Sequence, residues 1–216
     1  MLERGFFVLE GLDAAGKTTV ASLLGEYAGI ETIETPSPPL GDVKQRALES
    51  LPPLSRLLYF MSANFDIAER HVQLTQGRTV VVTRYIWSTI AYHAAIENLP
   101  VPIVVEPLRP LLDRLLLPEK VVFLKVSRAE QLRRLTSRHE TGLARRLSLS
   151  HEFYTRLCLA YEATLSVVRV PTVWINTTEL SVSETVSRVR AALRFAQDDH
   201  DGSNKWRDLP QGSEGG

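Results

Sequence analysis

Apolar runs alternate with amphipathic stretches along most of the chain. Residues 6–9 form a short apolar run, 79–82 form a β-branched run, and 121–126 are apolar except for Lys125, while 30–33 and 172–175 are two further short stretches rich in β-branched residues. A run without polar interruption is typical of a strand that is buried on both faces of a parallel sheet. The pattern therefore predicts about five strands.

Helical spacing of apolar residues fills the intervals between these runs. It predicts helices over 17–28, 53–76, 85–97 and 153–165, and we expect the wide apolar face of 53–76 to line a pocket in part. Ser127 and Ser181 are each followed three positions later by Glu, which predicts two further helices that begin with capping boxes. The prolines between 100 and 118 predict loops and one short helix around 111–116.

The order of these elements predicts an α/β fold. Right-handed crossovers would give a parallel sheet that is covered by helices on both faces, with ligands at the carboxyl ends of the strands. The 216 residues favour one domain, which we place at 1–197. The segment 198–216 is rich in Asp, Gly and Ser and is predicted to be a disordered tail.

Composition and charge exclude several classes of protein. The 25 basic residues balance the 25 acidic ones, so no overall field would attract nucleic acid or an anionic membrane. No apolar run approaches the roughly 20 residues that span a bilayer, and the first residues lack the features of a signal peptide. We therefore expect a cytoplasmic protein. The single Cys158 and the five dispersed histidines, His93 among them, favour neither a disulfide nor a zinc site.

A phosphate-binding motif follows the first predicted strand. Residues 11–18, GLDAAGKT, satisfy the pattern G-x-x-x-x-G-K-[ST] without a mismatch. The glycines allow backbone amides and the next helix N-terminus to converge on phosphates. Lys17 would contact the outer phosphates of ATP, and the Thr18 hydroxyl would ligate Mg²⁺. The motif predicts the three-layer α/β/α fold of the P-loop NTPases.

From this point the sequence resembles the thymidylate kinase family. The segment FFVLEGLDAAGKTT is similar to the opening of the family, and 80–95 is similar to its D-R-Y segment and the helix that follows. Residues 57–65 resemble its nucleotide-binding helix, and 127–165 resemble its lid, here about 138–148, with the following helix. The resemblance implies transfer of a phosphoryl group from ATP to a nucleoside monophosphate, with dTMP as the leading acceptor, and it allows for a homodimer.

The resemblance also assigns site residues. It places ATP at Gly11, Leu12, Asp13, Ala14, Ala15, Gly16, Lys17, Thr18 and Thr19. It places the acceptor at Asp13, Phe60, Phe65, Arg84, Ser88, Thr89 and Tyr92. Within this set Arg84 would hold the acceptor phosphate and Asp13 the sugar hydroxyl, while Arg145 of the lid would act with Lys17 and Arg84 in catalysis. Three alternatives stay open: Arg84 in a structural ion pair, Tyr92 in the core, and the lid arginines as solvated charges.

Three departures from the family pattern fall in the acceptor and metal region. Thr83 replaces an aspartate that helps to organise Mg²⁺, and Phe65 replaces an arginine that approaches the pyrimidine. The family's R-E-P-G-G segment corresponds here to the shorter sequence ETPS at 34–37, which lacks the arginine. These departures favour two alternatives, a kinase for another nucleotide or nucleoside-like metabolite, or a catalytically weak nucleotide-binding regulator. The retained Arg84 argues against the regulator, because a pure switch needs no clamp for an acceptor phosphate.

Overall fold

Every strand of the central sheet runs parallel to its neighbours. The computed structural model describes residues 5–27, 29–72, 78–137 and 143–193. The strands are β1 (Gly5–Gly11), β2 (Ile30–Glu34), β3 (Thr79–Thr83), β4 (Lys120–Lys125) and β5 (Thr172–Asn176). They stand in the order β2-β3-β1-β4-β5, so β1 is central. The predicted α/β fold with five parallel strands is confirmed.

Helices cover both faces of the sheet. They are α1 (Lys17–Leu24), α2 (Lys44–Ser50), α3 (Pro53–Asp66), α4 (Ile86–Glu97), α5 (Val101–Val105), α6 (Arg109–Leu112), α7 (Arg128–Thr136), α8 (Leu143–Leu149), α9 (His151–Val167) and α10 (Val182–Ala192). Helices α1 and α10 pack together on one face. Helices α3, α4 and α9 pack on the other face. The result is the predicted three-layer arrangement.

The packing of β1 on both faces of the sheet explains why its sequence is apolar without interruption. Phe6 and Val8 belong to the core on the α4 and α9 face. Phe7 and Leu9, which alternate with them, belong to the core on the α1 and α10 face. Side chains of a strand point alternately to the two faces, and both faces are buried here. The strand ends at Gly11, the first residue of the phosphate motif.

The proline-rich stretch after α4 differs from the prediction. Instead of one helix around 111–116, it forms α5, a 3-10 turn at Glu106–Leu108 and α6. Pro102, Pro107 and Pro110 each lie in the first turn of one of these pieces. A proline is tolerated there because the first backbone amides of a helix have no partner within the helix. The prolines therefore start short helices in this stretch.

Two further predictions are only partly correct. The long helix expected over 53–76 ends as α3 at Asp66 and continues as a π-helical turn, Ile67–Val72, while 73–77 lie outside the described residues. Of the lid interval 138–148, residues 143–148 lie in the α8 helix. Residues 138–142 and the tail 198–216 lie outside the described residues.

The two predicted capping boxes also have different outcomes. At α10 the Ser181 hydroxyl and the Glu184 carboxylate exchange hydrogen bonds with each other's backbone amides, so this box is confirmed. At α7 only the Ser127 half is present, because the Glu130 carboxylate instead binds Arg133 and Arg134.

Two features of the helices bear on earlier expectations. Cys158 of α9 is fully buried in the core on the α4 and α9 face, where it acts as a packing residue. Among the described residues, none of the helices has the length and apolar character needed to cross a membrane.

Candidate active site

The phosphate motif forms a tight loop between β1 and α1. Gly11, Ala14 and Gly16 have φ angles of 141°, 61° and 100°, in the region that favours glycine. A Cβ atom on Gly11 would lie only 2.3 Å from the backbone oxygen of Leu124 on the neighbouring strand. The first glycine is therefore required by close packing as well as by its backbone angle.

Lys17 is held beneath this loop. Its Nζ donates to the backbone oxygens of Gly11 at 2.8 Å and of Leu12 at 2.7 Å, and the side chain is buried. Thr18 follows at the start of α1 and is exposed. The loop thus places one positive charge and one hydroxyl at a helix N-terminus, an arrangement that suits the phosphates of a nucleotide.

Asp13 joins the loop to three distant segments. One carboxylate oxygen pairs with Arg84, and the other accepts a hydrogen bond from the Ser148 hydroxyl at 2.6 Å. The Gln131 amide also donates to the Asp13 backbone oxygen at 3.0 Å. Burial by itself raises the pKa of Asp13, but the nearby charges of Arg84 and Lys17 lower that pKa well below its usual range. The carboxylate is therefore ionised at neutral pH.

Glu10, at the end of β1, fixes the start of α4 and so the position of Arg84. Its buried carboxylate accepts from the backbone amides of Tyr85 at 2.9 Å and Ser88 at 3.0 Å. It also accepts from the hydroxyls of Ser88 at 2.6 Å and Tyr161 at 3.2 Å. Arg84 itself has a positive φ of 66°, an unfavourable angle for a residue with a side chain. The carboxylate stabilises the turn in which this strained residue sits.

A cavity of about 200 Å³ opens beside Arg84 at the carboxyl ends of the strands. One face of α4 forms a wall of it, because residues three and four positions apart share a helix face. Of the predicted acceptor residues, six line this cavity: Asp13, Phe60, Arg84, Ser88, Thr89 and Tyr92. The Arg84 guanidinium lies over the Tyr92 ring at 5.1 Å from its centre. We call this space the acceptor cavity, after the predicted acceptor residues that line it.

Phe65 and Arg145 lie elsewhere in the structure. Phe65 is half-buried against the core and does not line the acceptor cavity, whereas Phe60 of the same helix does. Arg145 donates from Nη1 to the backbone oxygen of Leu135 at 2.5 Å and lines neither cavity described here. The residue of α8 that reaches the phosphate loop is Ser148.

A second cavity of about 740 Å³ lies on the other side of the loop. Ala14, Gly16 and Thr19 line it, together with residues of α7 and of the segment between β5 and α10. Arg134 closes one side of it by donating to the backbone oxygens of Ala14 at 3.2 Å and Thr177 at 2.7 Å. We call this space the donor cavity, after the predicted ATP-binding residues of the loop that line it.

Several residues of the site carry no local sequence signal. Gln131 and Ser148 contact Asp13 from positions more than a hundred residues away. Tyr161 is one of four aromatic or leucine residues spaced four positions apart, a pattern that predicts only a packed helix face. Arg134 is one of several arginines in its helix. Among the described residues, no cluster of three or more His, Cys, Asp or Glu residues is arranged to hold a metal ion.

The chain is similar in sequence to known thymidylate kinases. The family model for thymidylate kinase matches residues 9–198. A thymidylate kinase of Mesomycoplasma hyopneumoniae is 28% identical over 173 residues, which cover 73% of this chain and 82% of that protein. A probable thymidylate kinase of Pyrococcus horikoshii is 38% identical over 109 residues, and this match spans 43% of the chain and only 53% of that relative.

Solved structures show the same fold. The thymidylate kinase of Candida albicans has a TM-score of 0.67 at 19% identity, covering 88% of this chain and 91% of its own. A deoxyadenosine kinase from M. mycoides has a TM-score of 0.64 at 18% identity, covering 87% and 98% of the two chains. The fold is thus shared by kinases with different acceptors. The family match, which extends over most of the chain, together with the phosphate loop and the acceptor cavity, establishes that this chain belongs to the thymidylate kinase family.

Proposed function

We propose that this protein transfers the terminal phosphoryl group of ATP to a nucleoside monophosphate, with dTMP as the acceptor, to give ADP and dTDP. One observation carries the proposal: the phosphate loop lies between two cavities. Asp13 lines the acceptor cavity, and Ala14, the next residue, lines the donor cavity. Two nucleotides bound on either side would bring their phosphates together at the loop, as direct transfer requires.

The phosphate loop would bind one of the two anions, and the residue after β3 would bind the other. Loop amides and Lys17 would bind the outer phosphates of ATP, and Arg84 would hold the acceptor phosphate with its forked donors. An oxygen of the acceptor phosphate would then attack the terminal phosphorus, while the bond from that phosphorus to the bridging oxygen breaks and ADP leaves. The protein contributes positions and positive charge to this step.

The residues present also fit a magnesium ion. The exposed Thr18 hydroxyl is placed at the N-terminus of α1, and the Thr83 hydroxyl at the end of β3 is buried without a hydrogen-bond partner among the residues that the structure describes. Thr18 would hold the ion directly, with Thr83 at the position of the family's aspartate. The ion would supply positive charge that offsets the negative charge of the phosphates.

A coupled assay of ADP release, run over a panel of monophosphates and without an acceptor, tests this proposal. We expect release that depends on dTMP and exceeds the rate without acceptor. Release that no monophosphate stimulates would overturn the proposal. A homodimer, a cytoplasmic location and a role for Arg145 in catalysis stay predictions.

Lys17→Ala provides the first mutational test. Removing one charge that stabilises the transferred group costs about 3 kcal/mol or more, so we expect turnover to fall by a hundredfold or more. Arg78→Ala is the control, because Arg78 is an exposed cation at the start of β3 whose ion pair with Glu31 lies at the far end of the sheet. Unchanged turnover in Lys17→Ala would contradict the proposed role of the loop.

A further inference from the structure

We infer that a third cavity, between α4, α5 and α9, binds a small carboxylate with an apolar body. The cavity has a volume of about 420 Å³ and shares no lining residue with the acceptor cavity or the donor cavity. Small-molecule sites in proteins have volumes of about 300–1,000 Å³, mostly apolar walls and a few polar groups that orient the ligand. The inference does not rest on the proposed function. We call this space the α4–α9 cavity.

The wall of the α4–α9 cavity is largely apolar. Alanines of α4 and α9 form much of it, together with Leu99, Val101 and Leu159. Leu99 and Leu159 are 41% and 53% exposed although both line a concave space. Covering such apolar surface with an apolar ligand removes it from water, which is favourable. The apolar body of the ligand would bind along this wall.

Arg156 of α9 supplies the charge of the site. Among the described residues that line the cavity, Arg156 alone is charged. Its Nη1 atom donates to Glu152 at 2.7 Å, while its Nε atom is buried without a hydrogen-bond partner in the described part of the chain. Nε and Nη2 form a second edge of the guanidinium, and the two parallel donors of such an edge match the two oxygens of a carboxylate. A ligand carboxylate on this edge would satisfy the buried donor.

The ion pair between Arg156 and Glu152 favours a ligand with a single negative charge. Glu152 is 80% exposed and lies four positions before Arg156 on the surface of α9, so the pair is weak and occupies only the Nη1 side. A dianionic phosphate would meet one cation that a carboxylate already partly neutralises. A neutral ligand would leave the Nε donor without a charged partner. A monoanionic carboxylate therefore fits the edge better than either.

NMR of alanine methyl groups locates the ligand in the wild-type protein. The probe is octanoate, an apolar chain with one carboxylate. We expect it to bind with a dissociation constant of about 1 mM or less. It should shift, in a saturable manner, the methyl resonances of the four alanines that line the cavity, Ala94, Ala95, Ala160 and Ala163. Ala21, in the core on the opposite face of the sheet, is the internal control and should not shift. Absence of saturable shifts at the four alanines would overturn the inference.

A neutral analogue and two arginine variants test the role of the carboxylate. Octanamide has the chain length of octanoate without its charge, and we expect octanoate to bind about tenfold or more tightly than octanamide. Arg156→Gln should reduce this preference to less than about threefold, because the charge and the forked edge are lost together. Arg169→Gln is the matched control, since Arg169 is an exposed arginine just after α9, and it should keep the preference. Equal binding of the two compounds to the wild-type protein, or a preference that persists in Arg156→Gln, would overturn the inference.

Ala163→Leu tests the cavity independently of its charge. Ala163 is only partly buried, so a larger side chain causes less strain there than at the buried Ala160. We expect the added side chain to occupy the cavity and to weaken the binding of octanoate and octanamide alike, by about tenfold or more. A folded Ala163→Leu protein that binds both compounds as the wild type does would overturn the inference. If this variant does not fold, the wild-type methyl titration still decides.

Discussion

Asp13 is a single residue held by three parts of the molecule. Arg84 after β3 and Ser148 of α8 bind its carboxylate, and Gln131 of α7 binds its backbone oxygen. The charge on this carboxylate offsets that of Arg84, which is only about one-fifth exposed. Loss of the charge would leave a largely buried guanidinium unpaired.

We expect Asp13→Asn to lower the free energy of unfolding by about 2 kcal/mol at neutral pH. The pKa of Asp13 is lowered in the folded protein relative to its ordinary value of 3.8, so its contribution is complete above that value and is lost as the pH falls towards the folded pKa. The difference between wild type and variant should therefore narrow between about pH 5 and pH 2. Urea denaturation of both proteins across this range measures it, and a difference independent of pH would contradict the assignment.

At the scale of elements, α7 links the phosphate loop to the segment after β5. Arg134 does this with hydrogen bonds to Ala14 and Thr177, and it lines the donor cavity. Its neighbour Arg133 also lines this cavity, but the side chain is 71% exposed, with an ion pair to Glu130 of its own helix.

Arg134→Ala should therefore raise KM for ATP about tenfold or more with a smaller effect on kcat, because the residue shapes a binding wall without contacting the transferred group. Arg133→Ala is the matched control, and we expect it to change KM for ATP by less than about threefold. Steady-state kinetics at saturating acceptor measure both. A fall in kcat with KM unchanged would place Arg134 in the transfer step instead.

The comparison of elements shows what the sequence could predict. β1 was predictable because an uninterrupted apolar run is typical of a strand that is buried on both faces, and the phosphate loop because its glycines stand at fixed spacing. The helix that contains Ser148 was missed within a polar interval, and the Ser148–Asp13 contact joins positions 135 residues apart. Contacts of this kind arise only when the chain folds, so no local pattern could predict them.

At the scale of the whole molecule, Glu10 ties the central strand to two helices. Its carboxylate is fully buried and accepts hydrogen bonds from Tyr85, Ser88 and Tyr161, which come from the start of α4 and from α9. A buried carboxylate is retained at low cost only when donors surround it in this way.

Glu10→Gln keeps the size of the side chain and replaces one acceptor by an amide donor that faces other donors. We expect it to destabilise the protein by about 2 kcal/mol in chemical denaturation. Glu34→Gln is the control, since Glu34 is exposed and pairs with Lys44 at 3.3 Å on the surface, and it should change stability by less than about 0.5 kcal/mol. Equal effects of the two substitutions would contradict the role given to Glu10.

The rate at which the buried Cys158 reacts reports how often the folded protein opens. It is the only cysteine of the chain, and burial raises the pKa of its thiol to about 12. Thiol reagents attack the thiolate, so native protein at neutral pH should react only during moments when α9 separates from its neighbours. We expect labelling to be slow, to accelerate with denaturant and to slow further when both nucleotides are bound. Rapid labelling of the native protein, followed by mass spectrometry, would show that α9 opens without global unfolding.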